Sequence, residues 1–122
     1  MSAARDGWMT PVTDCLFCRI VTGQIPANLV AEGERVLAFR DLNPQAPTHV
    51  LVIPRDHHEN VGALAADPAA LAELVALAAS IAAAECAGQY RLVFNTGEAA
   101  GQSVFHVHGH VLGGRGMTWP PG

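Results

Sequence analysis

The stretch SVFHVHGHVL, residues 103–112, sets three histidines at alternate positions among apolar residues. In a strand, successive side chains point to opposite faces, so His106, His108 and His110 share one face with Val104 and Leu112. Phe105, Val107 and Val111 then point the other way, into a core. A helix would scatter the imidazoles around its axis, and the flanking Val and Phe residues favour a strand. Neighbouring imidazoles on such a strand stand roughly 6.5–7 Å apart.

Working outward from this strand, HVLVIP (49–54) is apolar and β-branched and stops at Pro54, which reads as a second, buried strand. YRLVFN (90–95) reads as a third, and LVAEGERVLAFRD (29–41) as two more around Gly33. CLFCRIV (15–21) suggests a short helix or turn. RDHHENVGAL (55–64) is a connection with room for a helical turn. The long helix spans 68–87: Asp67 is a suitable N-cap, Pro68 suits the first helical position, and Gly88 follows the end. Leu71, Leu74, Val75, Ala78, Ile81 and Ala82 form its apolar stripe. The chain therefore reads as α+β, a mostly antiparallel five-stranded sheet with one long helix and a short N-terminal helix. Residues 1–13 read as a loose tail and 14–122 as one domain.

The 122 residues suit a single domain, and half of them are hydrophobic. A chain of this size buries only about two-thirds of its unfolded surface, which favours a homodimer. A net charge of −4 without a basic run argues against a sequence-independent grip on DNA or RNA. The longest apolar stretch is interrupted by Glu73 and Glu85, which argues against a membrane span. MSAARDGWMTPVTD (1–14) lacks the apolar run of a signal peptide, and Cys15, Cys18 and Cys86 are an odd number of thiols. Both features suggest a cytoplasmic protein.

Three readings of the histidines stand open on residue chemistry alone. They could be a polar sheet face, ligands of a catalytic metal, or catalytic bases and nucleophiles. The adjoining NTGEAAGQS (95–103) favours phosphate, because its glycines let backbone N–H groups approach an anion while Asn95, Gln102 and Ser103 add neutral donors.

GQSVFHVHGHVLGG (101–114) closely resembles the signature of the histidine triad (HIT) family. FRDLNPQAPTHVLVIPRDH (39–57) and GGRGMTWPPG (113–122) resemble its Hint branch, the purine nucleoside phosphoramidases. The resemblance covers about residues 15–122. It implies a homodimeric nucleotide hydrolase that cleaves the P–N bond of adenosine 5′-monophosphoramidates or aminoacyl adenylates and releases AMP. His108 would be the nucleophile and form a nucleotidyl-histidine. His110 and His49 would support proton transfer, and Ser103 would lie near the leaving group. Asn95 and Gln102 would lie near the phosphate and Asp41 would hold the ribose. Phe17, Ile20, Phe39 and Leu42 would line the base pocket, with Trp119 supplied by the other subunit. The alternatives are hydrolysis of dinucleoside polyphosphates and a non-catalytic nucleotide- or partner-binding module.

Two positions depart from the family pattern. Gly109 replaces a large hydrophobic residue, and Arg40 places a charge in the base-pocket segment. CLFC (15–18) is a C-x-x-C motif, common to zinc sites and redox sites, and no thioredoxin-like pattern surrounds it. Zinc needs two further ligands. The resemblance to bacterial members of the family supplies them as His57 and His106, with His58 as a neighbouring alternative. It implies a structural zinc and no organic cofactor. Cys86, without a visible partner, reads as packing.

Overall fold

A computed structural model describes residues 14–122; the tail assigned to 1–13 lies outside the described residues. In chain order the elements are α1 (Leu16–Val21), β1 (Leu29–Glu32), β2 (Val36–Arg40), β3 (Thr48–Pro54), α2 (Val61–Leu64), α3 (Pro68–Cys86), β4 (Tyr90–Val93) and β5 (Gly109–Gly113). The five strands form one sheet in the order β1-β2-β3-β5-β4, and every neighbouring pair is antiparallel. The α+β sheet read from the sequence is therefore the observed one.

Strand alternation divides the core into two layers. Val36, Ala38, Val50, Val52, Val107 and Val111 face α3 and pack on Leu74, Ala78, Ile81 and Ala82. Leu37, Phe39, Leu51 and Ile53 face the other way, where Phe17 of α1 covers them. The site lies on this second face. At about 25 cal/mol per Å² of apolar surface, these two layers supply the main stabilising term.

The long helix begins where the sequence places it and ends one residue earlier than expected, at Cys86. The Asp67 side chain accepts a hydrogen bond from the Ala70 N–H, and Pro68 opens the first turn. Ala87 adopts the left-handed conformation (φ 57°) at the C-cap, followed by Gly88 (φ 74°). By length and composition this helix is apolar enough to cross a membrane, but one face packs on the sheet. The two acids that interrupt its sequence fasten it there. Glu73 accepts from the backbone N–H groups of Arg35 (2.8 Å) and Val36 (3.1 Å). Glu85 accepts both arms of the Arg40 guanidinium at 2.6 and 2.7 Å. One residue of the expected stripe is corrected: Val75 is exposed, and Ala70 is buried instead.

The histidine strand is shorter than expected. β5 begins only at Gly109, so His106 and His108 precede it in bent and extended backbone. The last ladder partners are Val52 for Gly109 and Val93 for His110. Before these positions the ladder to β5 is not continued, although β3 runs on to Pro54, and the Val107 N–H donates instead to the His58 carbonyl at 2.7 Å. Alternation nevertheless persists from His106 to Val111, with Val107 and Val111 in the helix-side core. It fails at Phe105, which is 45% exposed at the bend rather than in the core.

Gly109 does leave space on the core face, and neighbours fill it. A Cβ added there would lie 2.9 Å from Leu92 Cδ1 and 3.1 Å from two atoms of the Phe94 ring. Cys86 fills the corresponding space over Gly113, where an added Cβ would meet its sulfur at 2.4 Å; packing is what this thiol does. Replacing Gly109 by Val is expected to destabilise the fold by about 1–3 kcal/mol through overpacking. Urea unfolding of Gly109→Val should show this, and pairing it with Leu92→Ala should recover part of the loss. An unchanged midpoint in the single variant would contradict the packing described.

Candidate active site and metal centre

His49 on β3 and His110 on β5 point from the same face of adjacent strands, two residues out of register. Their rings meet through His49 Nε2 and His110 Nδ1 at 2.9 Å. The backbone determines the direction of this bond. The Gln45 N–H donates to His49 Nδ1 at 3.0 Å, so the neutral ring carries its proton on Nε2 and donates it to His110. His110 then carries its own proton on Nε2. Burial lowers the His49 pKa, against the opposing pull of the Asp41 carboxylate. Burial, followed by His108 and His49, lowers that of His110 to about 4. Both rings are therefore neutral near pH 7.

His108 is fixed in the opposite tautomer. Its Nδ1 lies 2.9 Å from the His106 carbonyl oxygen and must donate, which leaves the Nε2 lone pair bare. The ring is buried, and Phe17 braces it edge-on with centroids 5.1 Å apart. A neutral imidazole with one fixed N–H and one free lone pair has the form a nitrogen nucleophile requires.

His108, His110 and Ser103 line one end of a cavity of about 300 Å³. Phe17, Ile20, Phe39, Asp41 and Leu42 line it as well, so most of the residues singled out in the sequence converge here. Leu42 sits at the mouth, 99% exposed. Leu16, Ile25, Pro26, Ala27, Asn28, Leu51 and Val104 also line it; sequence reasoning did not assign these to the site, although Leu16 adjoins Phe17. Asp41 Oδ1 accepts from the Asn43 N–H at 2.7 Å, and Oδ2 lies 3.5 Å from His49 Nε2. Arg40 also borders the cavity, but its guanidinium is held on the helix side by Glu85.

Three expected residues are placed elsewhere. Gln102 is buried with its amide committed to backbone: Oε1 accepts from the Gly97 N–H at 2.9 Å, and Nε2 donates to the Glu59 and Val104 carbonyls. It shapes the glycine-rich loop. Asn95 sits beneath that loop, its amide nitrogen 3.7 Å from where a Cβ on Gly101 would stand. Trp119 is 83% exposed. Arg91 donates to the Thr118 carbonyl, which holds the tail close to β4.

The fourth imidazole group is separate. His106 Nε2 lies 2.9 Å from the Pro54 carbonyl and donates to it, leaving Nδ1 bare. Cys15 Sγ and Cys18 Sγ lie 3.4 and 3.5 Å from that nitrogen. Cys18 Sγ also lies 3.4 Å from His57 Nδ1. All four donor atoms lie within 4.8 Å of one another. One lone pair cannot satisfy two thiols, but a single cation satisfies every donor. Tetrahedral zinc sites space sulfur and nitrogen ligands roughly 3.5 Å apart, so these residues fit such an ion. Burial, with Cys15 alongside, raises the Cys18 pKa to about 12; a bound cation would favour the thiolate. His57 is the ring in the cluster, and His58 serves through its carbonyl.

Asp41, His49 and His110 also lie close enough for a metal, yet their chemistry differs. With Nδ1 of His49 occupied by a backbone N–H, a metal on Nε2 would require an imidazolate. This group has the hydrogen bonding of a proton chain, whereas the cysteine cluster has the donor set of a metal centre.

The fold thus presents a histidine-lined cavity beside a cluster of four cysteine and histidine donors that fits a metal ion. The profile of the HIT domain matches residues 22–117, and the chain belongs to the HIT domain family. A HIT family hydrolase of Legionella pneumophila has the same fold (TM-score 0.84, 50% identity, covering 88% of this chain and 99% of that one). An uncharacterized HIT-like protein of Synechococcus elongatus is 48% identical over 111 residues, 89% of this chain and 97% of its own. A 14 kDa zinc-binding protein of Zea mays is 41% identical over 128 residues, spanning both chains in full.

The lowered imidazole pKa values have a stability consequence. The unfolded chain takes up protons on His49 and His110 below about pH 6.5, the ordinary imidazole value. Folded His110 does so only near pH 4. Between these values the unfolded state binds more protons, so stability falls as the pH falls. Urea midpoints should drop steadily from pH 7 to pH 4.5, and His110→Asn should flatten the slope. An equal slope in that variant would remove His110 as the cause.

Proposed function

We propose that this chain is a hydrolase of purine nucleoside 5′-phosphoramidates, with aminoacyl adenylates as related substrates. The observation that carries the reading is the fixed tautomer of His108, which leaves Nε2 bare at a buried position lining the cavity. The apolar walls around Phe17, Ile20, Phe39 and Leu42 suit a base, and Asp41 suits the ribose hydroxyls. Nε2 of His108 attacks phosphorus as the P–N bond breaks, and the amine departs with a proton passed from solvent through the Ser103 hydroxyl, which the water of the second step gives back. The positive charge on the ring is spread toward the His106 carbonyl through Nδ1–H. The Nε2–H of His110, fixed by the His49 bond, donates to a phosphoryl oxygen as charge builds there. Water then attacks the nucleotidyl-histidine and releases AMP, restoring His108. Ser103 serves the leaving-group side, while Asn95 and Gln102 act through the loop they shape.

The metal centre is assigned to zinc, held by Cys15, Cys18, His57 and His106. When bound, it cross-links α1 to the histidine segment and does no chemistry on the substrate. The reading is supported by the donor set and by the name of the maize relative. A homodimer fits the open edge of β4, whose four residues are all half-buried. The Trp119 tail held beside that edge would then reach the partner's site.

Adenosine 5′-phosphoramidate and diadenosine tetraphosphate, assayed side by side for AMP release, test the substrate class. The expected result is rapid P–N cleavage with little attack on the polyphosphate; the reverse preference would assign the chain to polyphosphate hydrolysis. His108→Ala should lose on the order of 10⁴-fold or more in kcat while its circular dichroism stays that of the wild type. Near-normal turnover in this variant would eliminate His108 as the nucleophile.

A further inference from the structure

The metal cluster and the nucleotide cavity share one element. Cys15 caps α1 with its sulfur accepting from the Cys18 N–H, and Cys18 lies within the helix. Leu16, Phe17 and Ile20 of the same helix line the cavity. α1 has only six residues, too few to hold a helix in water without tertiary support. Its attachments are few. Among the described residues, the backbone hydrogen bonds of the loop and cap groups in 15–25 close within that segment. Crossing contacts come from two sources: the two thiols, which face His57 and His106, and the apolar packing of Phe17, Ile20 and Val21, with Cys15, on Leu37, Phe39, Leu51 and Ile53. The Phe17 ring then touches both sites. It stands 5.5 Å from Phe39, 5.9 Å from His106 and 5.1 Å from His108, centroid to centroid and edge-on each time.

We propose that metal occupancy at Cys15, Cys18, His57 and His106 sets nucleotide affinity through Phe17, so that cation and nucleotide bind cooperatively. The loaded cluster pins both ends of the first turn of α1 and so holds Phe17 as a wall of the cavity. Without the cation, α1 keeps only its apolar packing and becomes a local unit that opens at low cost. The nucleotide must then order the helix as it binds, which weakens its affinity. Linkage makes the effect reciprocal: bound nucleotide closes α1 on the cluster and tightens the metal by the same factor. Phe17 is a positioning residue here, acting through the helix and not on phosphorus. The inference rests on the nucleotide-binding and zinc readings above.

The test is AMP binding by calorimetry to zinc-loaded and chelator-stripped wild-type protein, followed by zinc affinity with and without saturating AMP. Stripping is expected to weaken AMP about tenfold or more, and AMP to tighten zinc by the same factor. Equal AMP affinity in both states would overturn the coupling while leaving nucleotide binding intact. Failure of AMP to bind the loaded protein would overturn the nucleotide reading, and the coupling with it. Should stripping unfold the chain, zinc-loaded Phe17→Ala decides. It should lose AMP affinity, and at AMP concentrations that saturate the variant its zinc affinity, whatever its AMP-free value, should no longer tighten. Phe17→Tyr should restore most of the coupling. Undiminished coupling in Phe17→Ala would refute the role given to this side chain.

Discussion

The Pro54 carbonyl accepts a hydrogen bond from His106 Nε2, and much of the site follows from that bond. It turns the bare Nδ1 of His106 toward Cys15 and Cys18, so the first histidine of the triad belongs to the metal cluster. It also fixes the backbone of His106, whose own carbonyl accepts a hydrogen bond from His108 Nδ1–H. One backbone group thereby assigns different work to two side chains two residues apart. Proline suits this position. It ends β3 without needing a ladder partner for a missing N–H, and its carbonyl is left for a side chain.

A parallel constraint governs the other pair. Gln45 N–H occupies His49 Nδ1, and the proton order through His110 follows. These assignments rest on backbone donors and acceptors, which do not titrate. The low polarity that makes burial of a charged imidazole costly also keeps the chain His49–His110 neutral near pH 7. The site is thus preorganised in protonation as well as in geometry, and no solvent reorganisation is needed to prepare it.

Local alternation carried much of this into the sequence. The period of two from 106 to 111 placed Val107 and Val111 in the core and the imidazoles on the opposite face, as observed. The helix ends were legible because caps are local chemistry. Strand length was not: β5 starts at Gly109 because β3 and β4 stop pairing there, a property of the partners. Phe105 looked like core by alternation and lies exposed because the chain bends at 104–106. The Gln102 amide was unreadable for a related reason. Its partners include Glu59, far away in sequence, and no local pattern announces such a bond. Arg40 read as a charge in the pocket, yet strand parity places it on the helix side, where Glu85 holds it.

That last placement bears on how the site handles charge. The guanidinium of Arg40, which borders the cavity, is turned away to a carboxylate, while Asp41, His108 and His110 remain. A phosphate held by neutral donors gains little in the ground state compared with one clamped by Arg or Lys. Under the proposed reaction, the charge on phosphorus and its oxygens is redistributed in the transition state, and fixed N–H donors respond most strongly there. The cation that forms on His108 is transient and appears only when the phosphoryl group is attached. When AMP departs with more negative charge than the substrate carried, Asp41 and the commitment of Arg40 to Glu85 both favour its release. Neutral imidazoles therefore suit turnover better than permanent positive charges would, which gives a physical reason for building a phosphate site from histidines.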